Sequence, residues 1–437
     1  MPSFLCLLDM VVAPWYDRSI RSSPMKLRPH QARSLTKMEL VRLGQIYVPT
    51  GGGKTLIMIR DLMRRLEESD KPFTALIVAP RILLANQLCA EFTQEIKNAV
   101  VAHVHSGETK HFSTTNPDHI TMFHNMVKSN NEHQLLFTTY HSLHRVIDSG
   151  IHIDTVYFDE AHNACKRDFF VSTAMMSQHA ESAYYFTATP KLSQNPKGRG
   201  MNNSIVFGQI IENVPAPELI ENGSIIPPMV QVYEVDGERD KDNAAKHDAK
   251  TLLAILDGLD ANKAQKVLVA APSTKVLCQM LFRTDVMNQF KQRGYEILHI
   301  TSKEGAYVND QKVNREVFFD TMTKWGQDKQ KKFVLFHYSI LSEGINCPGL
   351  THSVLLRNLN VIEMCQTIGR VIRVDREDAQ DMADGVLTPG DYMSYRKSHG
   401  FVTVPVHKNY GKNTQQRLQS VVDFVFRQGI PPEYYVD

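Results

Sequence analysis

The stretch Val48-Pro49-Thr50-Gly51-Gly52-Gly53-Lys54-Thr55 constrains the fold of this chain more than any other. It follows the apolar run Ile46–Val48, so it predicts a buried strand, then a tight glycine loop, then a helix. Three glycines let backbone N–H groups turn inward on an anion without side chains in the way. Lys54 then reaches the terminal phosphates of a nucleotide and Thr55 a Mg²⁺ ion, with Pro49, Thr50, Gly51, Gly52 and Gly53 forming the cradle.

The rest of the chain repeats the strand-then-helix rhythm. Ala75–Val78, Leu135–Thr138, Val156–Phe158 and Ala183–Thr187 read as buried parallel strands, each followed by a polar or glycine loop and usually a helix. Residues 191–228 are rich in Asn, Gly and Pro and interrupt the pattern. It resumes with strands at Val267–Ala270, Ile297–Ile300, Phe333–Phe336 and Val354–Leu356. The fold class expected is α/β: two tandem doubly wound parallel-sheet domains of RecA-like type, with ligands gathered at the strand ends in the cleft between them. The expected divisions are an N-terminal arm over 1–25, a first domain over 26–212 carrying the only P-loop, a linker over 213–228 and a second domain over 229–437. A last helix at about Thr414–Phe426 is expected to pack back onto one of the domains.

Two further segments supply chemistry. Asp159-Glu160-Ala161-His162 follows the strand Thr155–Phe158, so its carboxylates emerge where a nucleotide on Lys54 would sit. Asp159 suits a Mg²⁺ ion held through water, and Glu160 suits polarising the water that attacks a γ-phosphate. Gln366-Thr367-Ile368-Gly369-Arg370-Val371-Ile372-Arg373 places Arg370 and Arg373 three apart on a helix. Such a pair can bring cations to a phosphoryl group from the far side of the nucleotide. A solvated helix face is the bland alternative for these arginines, and the Q-x-x-G-R-x-x-R spacing argues against it.

In order along residues 26–375, these segments resemble a superfamily 2 helicase or translocase of the DEAH/DExH type. Leu27-Arg28-Pro29-His30-Gln31 is similar to the adenine-reading element, which implies that Gln31 binds the base. Ala79–Gln87 and Thr138–Leu143 look like first-domain strand-tracking elements, implying nucleic-acid contacts by Arg81, Gln87, Thr138 and Thr139, with Ser302 as a second-domain counterpart. Thr187-Ala188-Thr189-Pro190 resembles the coupling segment, with His162, Thr187 and Thr189 in that role. Ser342–Gly349 resembles a second-domain element facing the ATP, implying nucleotide contacts by Gly344 and Asn346. The family implies Lys54, Glu160, Gln366, Arg370 and Arg373 as catalytic residues, with ATP and Mg²⁺ as cofactors. Two departures stand out: Val48 occupies the first glycine position of the general loop pattern, and Asn346 stands where the family often has Asp.

Composition permits this reading without demanding it. A formal net charge of +2 over 437 residues gives no global basic field, so nucleic-acid contact must come from local placement of Lys and Arg. Six dispersed cysteines without a C-x-x-C pair argue against zinc ribbons, iron–sulfur clusters and a secreted disulfide framework. Eight histidines between His103 and His144 have neither helix-spaced H-x-x-x-H nor a cysteine beside them, so they are not read as a metal site. The segment His105–His133 is expected to be an elaborated loop or small helical insertion over the first domain. The run Phe4–Ala13 is interrupted by Asp9 and too short to span a bilayer, so a soluble, intracellular protein is expected, in host cytoplasm or nucleus if viral.

The reading is therefore an ATP-dependent motor that moves along or remodels nucleic acid, most similar to viral or phage DNA helicases of recombination, repair or replication. DNA is favoured over RNA, a monomer over an oligomer, with an accessory protein for processivity and no membrane partner. An RNA helicase, the motor subunit of a restriction-type complex and a non-catalytic binding module are the alternatives.

Overall fold

The computed structural model describes residues 27–260, 263–301, 303–338, 347–431 and 434–435. The first part of the chain supplies β1 (Leu43–Tyr47), β2 (Thr74–Ala79), β3 (Ala99–Val104), β4 (Phe112–Ser113), β5 (His133–Thr139), β6 (Thr155–Phe158), β7 (Ser182–Thr187), β8 (Lys191–Leu192) and β9 (Gln209–Asn213). All but β8 join one parallel sheet in the order β4-β3-β5-β2-β6-β7-β1-β9. Its middle strands are buried on both faces, which is why they read as unbroken apolar runs. The strand period of two still sorts the residues. Ala75, Ile77, Leu135, Phe137 and Tyr157 pack under helices Lys54–Glu68 and Ile82–Glu95, whereas Leu76, Val78, Leu136 and Phe158 pack under Leu143–Asp148 and Arg167–His179.

The second sheet is built from β10 (Pro228–Glu234), β11 (Lys266–Ala270), β12 (Tyr295–Thr301), β13 (Gly305–Val308), β14 (Gln311–Val313), β15 (Lys332–His337), β16 (His352–Leu355) and β17 (Gly400–Val406). Its order is β10-β17-β16-β11-β15-β12-β13-β14, parallel except for the hairpin β13–β14 at one edge. Helices Ala244–Asp257 and Thr274–Arg283 cover one face, and Arg315–Gln327, Val361–Val371 and Lys412–Val421 the other. The chain is thus α/β with two tandem doubly wound sheets, as its strand rhythm predicts.

Three details depart from expectation. The segment His105–His133 is no insertion. It contributes β4, pairing with β3, and the helix Pro117–Ser129, and so is a regular crossover between β3 and β5. Asn116-Pro117-Asp118 starts that helix, with Asn116 Oδ1 accepting from Asp118 N–H at 2.9 Å. The outer strands β3, β9, β10 and β17 are absent from the predicted set because their burial is partial or their runs contain Gly, Pro or polar residues. Finally, the C-terminal helix Lys412–Val421 widens into a π-helical segment, Val422–Arg427, and reaches both halves rather than one. Gly429 sits where a Cβ would lie 2.8 Å from Pro215, and Tyr434–Tyr435 (β18) pairs in parallel with β8.

The helix after the glycine loop is fixed to its sheet by a buried charge. Asp61 is wholly buried and accepts from Arg65 Nε (2.7 Å), Arg64 Nη2 (2.9 Å) and Tyr157 Oη (2.7 Å), while Arg65 Nη2 donates to Tyr184 Oη at 2.6 Å. Removing the carboxylate leaves a guanidinium and a phenol without their acceptor. Asp61→Ala is therefore expected to destabilise the fold by about 3 kcal/mol, read as a lower denaturant midpoint; an unchanged midpoint would contradict this anchoring role.

Candidate nucleotide site between the two sheets

The loop after β1 is shaped by its glycines. Gly51 and Gly53 have φ of +90° and +84°, which disfavour side chains, and Gly52 N–H closes a turn onto Pro49 O at 3.0 Å. Lys54 and Thr55 open the helix Lys54–Glu68, so unpaired N–H groups of its first turn face the loop. Beneath the loop lies helix Pro29–Glu39. His30 Nε2 is 2.7 Å from Gly52 O, and Gln31 Nε2 donates to the same carbonyl at 3.4 Å. A Cβ on Gly53 would fall 2.3 Å from Gln31 Nε2. Gln31 is thus buried against the loop backbone, with its Oε1 accepting from Arg28 N–H at 3.0 Å.

Beside the loop, at the end of β6, stand Asp159 and Glu160, both buried. Lys54 Nζ lies 3.6 Å from Glu160 Oε1. Glu160 itself takes a left-handed backbone, φ +46°, an unusual conformation for a residue with a side chain, and it turns the chain sharply into the 3₁₀ helix Ala161–Cys165. Asn163 Nδ2 donates to Glu160 O at 3.0 Å and supports this turn. His162 Nδ1 sits 3.5 Å from Glu160 Oε2, 3.0 Å from Thr187 Oγ1 and 3.4 Å from Thr189 Oγ1. One buried imidazole therefore links the carboxylate to the segment after β7. Burial, and then the neighbouring Glu160 charge, push the Asp159 carboxyl up to about 7, against the lowering pull of Lys54.

The second half contributes the far wall. Helix Val361–Val371 begins with a reciprocal cap between Asn360 and Glu363, and its Gly369 meets the loop directly. A Cβ there would come 2.4 Å from Thr50 Cβ, so only glycine permits this approach. Arg370 follows, fully enclosed. Burial and the adjacent Arg373 draw its guanidinium down to about 10, while the charges of Cys347 and Glu160 act in the opposite sense. Gln366 is buried, and its Nε2 has no hydrogen-bond partner among the described residues. Arg373 lies just past the helix, where its backbone bridges Ile225.

Of the residues singled out in the sequence, the fold thus gathers Gln31, Pro49–Thr55, Asp159, Glu160, His162, Thr187, Thr189, Gly369, Arg370 and Arg373 around one cleft. Gly344, Asn346 and Ser302 lie outside the described residues. The expected strand contacts are placed less openly. Arg81 precedes helix Ile82–Glu95, and Gln87 Nε2 donates to Glu91 Oε1 at 3.0 Å. Thr138 is fully buried and donates to Val104 O at 2.8 Å, so its hydroxyl ties β5 to β3; Thr139 is nearly as buried, with Ser142 Oγ 3.5 Å away. Sequence reasoning missed His30 and Tyr140, whose Oη donates to Asp159 O at 3.0 Å, because each acts on a backbone carbonyl and leaves no spacing pattern.

The histidine-rich stretch is also reorganised. The fold brings Cys89 to within 4.8 Å of ligand atoms of His103 and His111, a neighbour the sequence does not reveal. Gly107 N–H donates to His105 Nδ1 (3.2 Å), so His105 Nε2 carries the hydrogen it gives to His103 Nδ1 (2.9 Å). Among the described residues, no helix is long and apolar enough to cross a membrane.

A pH effect follows from Asp159. Its folded-state pKa of about 7 lies above the ordinary 3.8, so between these values the native state holds a proton that the unfolded chain releases. Native stability is therefore lost as pH rises through that window. Asp159→Asn removes the penalty: it should melt higher than the unmodified protein at pH 8, with the gap shrinking steadily towards pH 4.5. Thermal melts across that range check it, and a gap independent of pH would contradict it.

Comparison with known proteins agrees with this architecture. Residues 24–192 match the family model described as the res subunit of type III restriction enzymes, and residues 248–375 match the helicase conserved C-terminal domain. A search of curated proteins by sequence finds no match. Among solved structures, the ATP-dependent Type ISP restriction-modification enzyme LlaBIII bound to DNA aligns with TM-score 0.66 and 15% identity, covering 95% of this chain but 31% of that one. A fragment of a putative HsdR subunit of a type I restriction enzyme from Vibrio vulnificus YJ016 aligns with TM-score 0.56, 18% identity, and coverage of 93% and 67%. Dbp5 of S. cerevisiae bound to RNA and ADP BeF3 aligns with TM-score 0.56, 15% identity, and coverage of 93% and 89%. The chain therefore spans about a third of the first of these relatives, and at such identities the likeness speaks to fold. Together, the ordered pair of family matches and the two doubly wound sheets place the chain in helicase superfamily 2.

Proposed function

We propose that this chain is an ATP-driven motor on nucleic acid, acting on DNA, in which one ATP is shared by the two domains. The observation that carries the reading is the contact of Gly369 with Thr50, which seats Arg370 within electrostatic reach of Glu160. In this reading the Gly51–Gly53 loop, Lys54 and the helix N-terminus hold the phosphates. Glu160, oriented by its left-handed backbone and by His162, accepts a proton from the attacking water. Arg370 and Arg373 stabilise charge on the transferring phosphoryl group, and Gln366 presents its amide to the same region. Loss of the γ-phosphate removes what the arginines attract, and the domains part.

Thr55 and Asp159 are the donors suited to Mg²⁺, which would neutralise phosphate charge there. The fit rests on a hydroxyl and a carboxylate of the hard oxygen class, beside a loop too tight for side chains. Asp159-Glu160-Ala161-His162, with His162 joined to Thr187 and Thr189, supports a DEAH-type subfamily and a coupling role for these three residues. DNA is favoured because the first-domain match is to a restriction-enzyme subunit and because LlaBIII is described as DNA-bound. The proposal extends to a kinship with viral and phage DNA motors and to a monomer acting inside the cell. A second reading, the motor part of a restriction-type assembly, draws support from the fraction of LlaBIII that the chain spans.

Measuring ATP hydrolysis alone and with single-stranded DNA, duplex DNA, forks and RNA side by side tests the proposal. Turnover should rise with DNA more than with RNA; a rate unaffected by any nucleic acid would sink it. Lys54→Ala should abolish turnover. Glu160→Gln should still bind ATP yet hydrolyse it about 10²-fold or more slowly. Arg370→Ala and Arg373→Ala should each lower kcat on the order of 10³-fold with little change in ATP affinity; full turnover in both would make them a structural pair only.

Strand affinity should fall linearly in log K against log salt concentration, with slope roughly −0.7 per phosphate neutralised on a single strand. Base sequence should matter little. Salt-insensitive binding, or a strong preference for one sequence at equal length, would point to a sequence-reading module.

A further inference from the structure

Arg373 must be aimed, yet it lies past the last turn of its helix, where the chain leaves regular structure. Its backbone is held from two sides. On one, Ile225 pairs with Arg373 in an antiparallel bridge and Ile226 N–H donates to Ile372 O at 2.9 Å. On the other, Lys397 Nζ donates to Arg373 O at 2.9 Å and to Leu350 O at 2.7 Å. Leu350 directly follows Ser342–Gly349, the segment that resembles a second-domain element facing the ATP. A single side chain thus joins the stretch after one nucleotide-facing element to the end of another.

Lys397 is itself well fixed. Its backbone N–H donates to Asp378 Oδ2 at 3.4 Å, and the wholly buried Asp378 also accepts from Arg396 N–H (3.2 Å) and Arg396 Nη1 (2.8 Å). Three residues on, at Gly400, β17 begins. Burial draws the Lys397 ammonium down to about 7, with Asp375 opposing and Arg373 and Lys266 reinforcing the shift. A cation seated among other cations is an expensive way to fill space. Its hydrogen bonds to the Arg373 and Leu350 carbonyls account for its place there, since ammonium and neutral amine can both donate to both.

We propose that Lys397 is a positioning residue for ATP hydrolysis, pinning the Arg373 backbone to Leu350 so that the Arg373 guanidinium is held ready at the nucleotide. This rests on the reading of Arg373 given above. Nothing in the spacing of the sequence marks Lys397, which stands 24 positions beyond Arg373 in a loop.

The test is nucleic-acid-stimulated ATP turnover by the full chain carrying Lys397→Met, Lys397→Arg, Arg373→Ala, or Lys397→Met with Arg373→Ala. Lys397→Met should lower kcat about tenfold or more with KM for ATP within about twofold, the mark of an interaction made in the transition state. Lys397→Arg, which keeps the donors, should recover most of the loss. The double variant should be no slower than Arg373→Ala alone, because Lys397 acts through that arginine. Multiplied losses in the double variant, or full turnover by Lys397→Met, would overturn the inference. Should Lys397→Met not fold, Lys397→Arg measured against Arg373→Ala decides: turnover close to that of the unmodified chain supports positioning, and turnover as low as that of Arg373→Ala refutes it. If the unmodified chain hydrolyses no ATP, it is the proposed function that fails; if Arg373→Ala slows turnover and Lys397→Met does not, only the role of Lys397 fails.

Discussion

Everything in this structure that concerns chemistry depends on one close approach, the packing of Gly369 on Thr50 across the junction of two sheets. It puts a guanidinium, Arg370, into a fully enclosed place near a carboxylate from the other domain. A buried cation is costly unless an opposite charge compensates it, and the desolvation that draws Arg370 down is the measure of that cost. Across the cleft, burial and then the neighbouring Glu160 charge raise the Asp159 carboxyl to about 7, against the pull of Lys54.

The glycines and the left-handed Glu160 supply the geometry for this. Gly53 disfavours a side chain because of its left-handed backbone, φ +84°, and Gly369 because Thr50 lies against it. Glu160 holds its unusual backbone because Asn163 bonds its carbonyl and His162 sits beside its carboxylate. His162 also lies against Thr187 and Thr189, in the segment that leads towards β8 and its pairing with the C-terminal β18.

How much of this was legible beforehand follows from physical range. The central strands were legible because burial on both faces leaves unbroken apolar runs, as in Ala75–Val78 and Val156–Phe158. The loop and the arginine pair were legible because their function demands fixed spacing. The edge strand β9, only partly covered and carrying Glu212, was not, and neither was β17, whose Gly400, Thr403 and Pro405 break the apolar run although most of it is buried. The His105–His133 crossover was mistaken for an insertion because its histidines drew attention from the Asn116-Pro117-Asp118 helix start. His30, Tyr140 and Lys397 were invisible for a common reason: each bonds a backbone carbonyl far away in sequence, and a carbonyl carries no residue identity.

The central claim is that the domains meet over one nucleotide and part after its hydrolysis. It is tested most directly by following the distance between one fluorescent label in each domain during turnover in the presence of a nucleic-acid strand. The account predicts a short distance with a non-hydrolysable ATP analogue and strand, a longer one after phosphate release, and cycling between them while ATP lasts. A distance that stays fixed while ATP is being consumed would contradict it.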